Sequence, residues 1–123
     1  MKQPKPPIFI WEPNDLSAFE SQEAAEKSLE TVDVEDGVYT AAYDAQGLLL
    51  RFRVIERTRR LLGTVSGGKF TIEPAEEHPT HMADLEAILR KFIAAVGGYS
   101  EEWIRTATAE QLIETGSKLA KTK

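Results

Sequence analysis

Apolar residues along this chain change their spacing twice, and the changes mark out its elements. Ile8-Phe9-Ile10-Trp11 is short, β-branched and aromatic, which predicts a strand that Pro13-Asn14-Asp15 ends in a turn. Leu16 to Glu20 fits either a second short strand or a single helical turn. Behind them, Ala25, Ser28, Leu29 and Val32 recur at helical spacing. Ser21 precedes them as an N-cap, with Glu23 in the positive first turn, so a helix is expected that stops near Glu30 or Thr31.

The middle of the chain alternates. Val38 to Tyr43 and Leu48 to Arg57 flank Asp44-Ala45-Gln46-Gly47, where glycine can supply a positive φ, and predict a hairpin. A two- or four-residue loop would put Tyr39, Ala41 and Tyr43 on the face of Leu48, Leu50 and Phe52. A bulged loop would slip the pairing by one residue, place Val38, Thr40 and Ala42 on that face and turn both tyrosines outward. Leu61 to Ser66 and Lys69 to Pro74 flank Gly67-Gly68 and predict a second hairpin, with Val65 opposite Phe70 and Gly63 opposite Ile72.

Helical spacing returns in the last third. Met82, Leu85, Ile88, Leu89, Phe92, Ile93 and Val96 form one stripe, with Pro79 at its entry and Gly97-Gly98 at its end. Ser100 can cap a short helix, and Thr108 with Gln111 reads as a capping box for another that Gly116 ends or frays. Residues 1–7, with three prolines, read as an extended lead-in, and Lys118 to Lys123 as a basic tail. Strands that precede helices predict one α+β domain: a four- to five-stranded, mainly antiparallel sheet with helices packed on one face.

Composition narrows the function classes. The 123 residues contain no cysteine, which excludes disulfide scaffolds, thiolate metal sites and cysteine nucleophiles. No apolar run approaches the ~20 residues that cross a bilayer, and MKQPKPP lacks the apolar stretch of a secretion signal. A cytoplasmic protein without membrane contact is expected. The net charge of −5 disfavours non-specific attraction of the whole molecule to phosphate or anionic lipid. That net value conceals segregation, because residues 12–50 hold ten acids against Lys27 alone, whereas residues 51–69 hold six bases against Glu56 alone.

Candidate chemistry is sparse. His78 and His81 form an H-x-x-H beside Glu76 and Glu77, but no third metal ligand is specified, and a polar strand-to-helix junction accounts for them. No G-x-S-x-G surrounds any serine, and Gly67-Gly68-Lys69 lacks phosphate-loop spacing. Neither a cofactor nor an enzymatic activity is expected. Trp11 and Trp103 read as core anchors. Arg51 to Arg60 is the strongest basic feature, and a ribbon of outward arginines with Tyr39 or Tyr43 for stacking is the alternative, nucleic-acid-binding reading.

One resemblance sharpens the picture. Trp11-Glu12-Pro13-Asn14-Asp15-Leu16, Phe19-Glu20-Ser21 with Glu23-Ala24-Ala25-Glu26, Gly37-Val38-Tyr39 and Tyr43-Asp44-Ala45-Gln46-Gly47 follow a pattern over the first half of the chain. It resembles the immunity proteins encoded beside polymorphic toxins, including Rhs-type effectors of type VI secretion. The resemblance implies a non-enzymatic inhibitor that binds one cognate toxin domain. An acidic protein suits a toxin with a basic active-site cleft, so nucleic acid is not the expected partner. Charge then selects the partner-binding residues: Glu12 and Asp15 after the first strand, and Glu30, Asp33, Glu35 and Asp36 between the first helix and the meander. Tyr39 and Tyr43 join them if they face outward.

Overall fold

The computed structural model describes residues 3–13 and 15–120, so Asn14 of the first predicted turn, the first two residues of the lead-in and the last three of the basic tail lie outside it. The fold is α+β with antiparallel sheets. Strand β1 (Ile8–Glu12) returns as β2 (Asp15–Phe19), with Phe9 opposite Ala18 and Trp11 opposite Leu16, so the ambiguous stretch after the turn is a strand. Helix α1 (Gln22–Ser28) starts where Ser21 accepts the Ala24 N–H at 3.0 Å. It ends when Leu29 takes extended backbone and buries its side chain. Val32 therefore belongs to a second, short helix, α2 (Thr31–Glu35), instead of continuing the first.

Strand β3 (Ala41–Tyr43) is shorter than the predicted Val38–Tyr43 and pairs with the free edge of β1, giving a sheet in the order β2-β1-β3. The hairpin toward β4 (Leu50–Glu56) survives as a single bridge, Tyr43 to Leu49. Its loop is held by the buried Asp44 carboxylate, which accepts the N–H groups of Lys5, Gln46 and Leu48 at 2.8–3.0 Å. Gly47 is required there. Its φ is +80°, and a Cβ would fall 2.6 Å from the Met82 Cα.

Beyond the bridge, β4 leaves β3 and pairs with β7 (Lys69–Pro74), placing Phe52 opposite Ile72 and Val54 opposite Phe70. Between them, β5 (Arg59–Leu61) and β6 (Thr64–Ser66) pair around Leu62-Gly63, whose φ values are +52° and +81°. The predicted hairpin about Gly67-Gly68 is thus corrected: Val65 faces Arg60, and Phe70 faces Val54. The reason is packing. Phe52, Phe70 and Ile72 join a buried cluster, which Gly63 and Val65 opposite β7 could not fill. After the shift between Val54 and Glu56, the register Glu56–Lys69 runs unchanged into Arg59–Ser66. β4–β5 and β6–β7 are therefore the two arms of one long hairpin whose end stands clear of the body as a finger.

The β2-β1-β3 sheet is covered on both sides. Phe9, Leu16, Ala18 and Tyr43 pack against helix α3 (Met82–Val96), helix α5 (Ala109–Leu119) and Ala107, with Trp11 and Trp103 at the margin. Ile8, Ile10, Phe19 and Ala42 pack the other way, against Ala25 of α1 and against Leu48, Leu50, Phe70 and Ile72. Helix α3 stops at Gly97, α4 (Glu101–Thr106) is capped by Ser100, and Thr108 with Gln111 forms the expected capping box. Gly116 neither ends nor frays α5: it is buried inside that helix, where Leu89 presses against it.

Candidate functional site

The departure of β4 from β3 opens a groove of about 950 Å³ between them. Tyr39, Phe52, Val34 and Val54 supply its apolar lining, while Glu35, Asp36, Arg51, Arg57 and Arg60 supply charge from both walls. Tyr39 stacks on Phe52 with ring centroids 5.6 Å apart, and this contact fixes its ring beneath α2. Its hydroxyl accepts the Glu30 N–H and donates to Asp33 Oδ2, both at 3.4 Å. Burial pushes the Tyr39 hydroxyl up to about 12, and the nearby charges of Asp33 and Glu12 add to that rise. Two of the acids singled out in the sequence, Glu12 and Asp33, thereby act on one tyrosine, whereas Glu30 meets it only through its backbone N–H.

Glu35, the last residue of α2, and Asp36, its C-cap, have a different job. The Glu35 carboxylate accepts the Thr58 N–H at 2.8 Å and the Thr58 hydroxyl, and Arg60 reaches Glu35 at 3.2 Å and Asp36 at 2.9 Å. The Thr58 hydrogen bonds, with help from Arg60, hold the Glu35 carboxyl below its ordinary range. This pair therefore ties α2 to the base of the finger. Asp15 turns its carboxylate back to the neighbouring Leu16 N–H at 2.9 Å. Tyr43 is not an outward side chain: its bridge to Leu49 puts Ala42 beside Leu48 and Leu50, as the bulged loop predicts, but Tyr39 packs on Phe52, as the other loop predicts, and the opposite face of β3 lies under α3. Tyr43 is 7% exposed there, and burial raises its hydroxyl pKa with a contribution from Asp84.

The arginine ribbon divides as well. Arg51 and Arg53 both reach Glu73, at 3.2 and 2.6 Å, and lower its pKa through those hydrogen bonds. Arg60 is held by α2. Only Arg57 and Arg59 of the five arginines have no carboxylate within ion-pair distance among the described residues. A continuous cationic track along the ribbon is not what the fold presents, and this weakens the nucleic-acid reading.

The histidines form a junction. Glu76 accepts the Leu49 and Thr80 N–H groups at 2.9 and 3.1 Å, and also engages the Thr80 hydroxyl and His81 Nδ1. Burial alone would raise its pKa, but these hydrogen bonds prevail and bring it down to about 2. His81 thus fastens the start of α3 to the β3–β4 bridge, and His78 stays exposed outside the knot. Among the described residues no three His, Asp or Glu side chains converge as metal ligands.

What sequence reasoning missed is the finger. Leu61 is 71% and Leu62 97% exposed at its tip, and Ile55 and Val65 are about half exposed along its arms. The signal was present as two adjacent leucines before a glycine, but the glycine pair downstream drew the predicted turn to itself. Scans of the chain against protein-family models, curated proteins and solved structures each return no match.

Proposed function

We propose that this chain is a binding protein that captures and neutralises a cognate toxin domain, the role implied by the resemblance over its first half. The Tyr39 groove receives the partner. The observation that carries this reading is the unequal compensation of charge. Glu12 and Asp33 flank Tyr39 with no lysine or arginine within ion-pair distance among the described residues, while three of the five ribbon arginines are neutralised internally. Glu12 and Asp33 stand outside the groove's own lining, next to Tyr39, and this uncompensated acid suits a basic protein surface that brings its own apolar contacts. Concentrated charge of this kind accelerates encounter and is screened beyond ~10 Å at 0.1 M salt.

The test is capture from native-host extract on the immobilised full chain. The retained polypeptide is purified and compared with the product of the neighbouring reading frame. Glu12→Lys and Asp33→Lys, which leave the Glu35 clamp intact, should slow association at low salt by tenfold or more and lose that effect at 0.5 M. Equal association rates for wild type and both variants at low salt would overturn the reading. Reversal of Glu35 is the wrong probe, because it breaks the tie between α2 and the finger.

A further inference from the structure

We infer that the β5–β6 finger is a second contact element, one that seats its leucine tip in an apolar pocket rimmed by carboxylates on the same polypeptide partner; the inference rests on the capture reading above. Two independent features meet at Leu62. It is the most exposed large apolar residue described, at 97%. It also has a φ of +52°, the only positive value among the described residues other than glycine. Turns of this kind favour asparagine or glycine, so solubility and local backbone preference both disfavour leucine there. A side chain that is both exposed and conformationally disfavoured is the kind that binding, not folding, explains.

The register gives the finger two unlike sides. Arg59 and Leu61 share one side of β5, while Arg60 pairs opposite Val65 on the other and turns to the Glu35–Asp36 pair; Arg57, before β5, lines the groove. The outer side therefore carries one cation without an internal partner, Arg59, beside an apolar tip. The Arg59 guanidinium calls for a carboxylate, and the convex leucines call for an apolar recess. An anionic bilayer is a poorer match, because the acids of α2 and the Tyr39 cluster lie close behind the finger and the molecule carries −5 overall. A second copy is poorer still if finger meets finger, since the unpaired arginines would face one another.

Leu62→Asn tests this without risk to folding, because asparagine adopts the left-handed region readily. The variant should melt at or above the wild-type temperature. Its affinity for the polypeptide retained in the capture experiment should nevertheless fall at least tenfold, mainly through faster dissociation. Arg59→Glu should slow association at low salt. Unchanged affinity of L62N, with Glu12→Lys and Asp33→Lys still weakened, would overturn the finger and leave the capture reading standing. Retention of no polypeptide would overturn both. Wild-type binding to phosphatidylserine-containing vesicles, or wild-type dimerisation, that L62N abolishes while its affinity for the captured polypeptide is unchanged would also overturn the assignment.

Discussion

Replacement of Gly116 by alanine sets two effects of known size against each other. In a helix interior alanine is favoured over glycine by about 1 kcal/mol. Against this, the added Cβ would lie 2.6 Å from Leu89 Cδ2, closer than such atoms approach in folded proteins. Leu89 has no solvent into which to retreat: it is fully buried beside Leu85, Ile93 and Leu112. Overpacking at such a site costs about 1–3 kcal/mol, so Gly116→Ala should destabilise the domain by about 1 kcal/mol net, or about 4 °C in Tm for a chain of this size. The cause can be isolated. Leu89→Ala alone should cost about 2–5 kcal/mol, but in that background the new methyl enters vacated space and the helical gain is recovered. Urea denaturation of the four proteins should then give a favourable coupling of about 2 kcal/mol. If Gly116→Ala stabilises the wild type and the two changes are additive, the close approach of α3 and α5 at Gly116 is wrong.

Other expectations follow from the polar contacts. Asp44→Ala should cost about 3 kcal/mol in chemical denaturation, since two loop N–H groups and that of Lys5 lose a buried acceptor; Asp44→Asn should cost less. Glu76 has a folded pKa of about 2 against an ordinary 4.5, so its stabilisation is present above pH ~4.5 and is lost as pH falls toward 2. Glu76→Gln should flatten the acid limb of the stability profile measured by thermal melts, and an unchanged limb would count against the knot. Tyr39→Phe should remove the ultraviolet-detected phenolate titration near pH 12 while it leaves the fold intact.

The elements set by short-range chemistry were legible. Ser21, Ser100 and the Thr108–Gln111 box cap helices where expected, and the Leu85–Ile93 stripe is buried. The errors arise where distant chain decides. Nothing local announces that β3 pairs with β1, or that Phe52 and Val54 seek Ile72 and Phe70, past a nearer glycine pair. Gly116 reads as a terminator because close helix packing and helix termination both select glycine. The same holds at the site. The acids of α2 were identifiable as a cluster, but their division into a compensated pair and an uncompensated group depends on where Thr58 and Arg60 return in space.

That division has a consequence for energetics. Because Glu35 grips Thr58 and Arg60, the groove wall and the base of the finger are tied together. A ligand that met two loosely hinged arms would lose affinity to their ordering; here that entropy has already been surrendered on folding. On the capture reading proposed above, loosening this single carboxylate should lower affinity for the partner even with every contacting side chain still present.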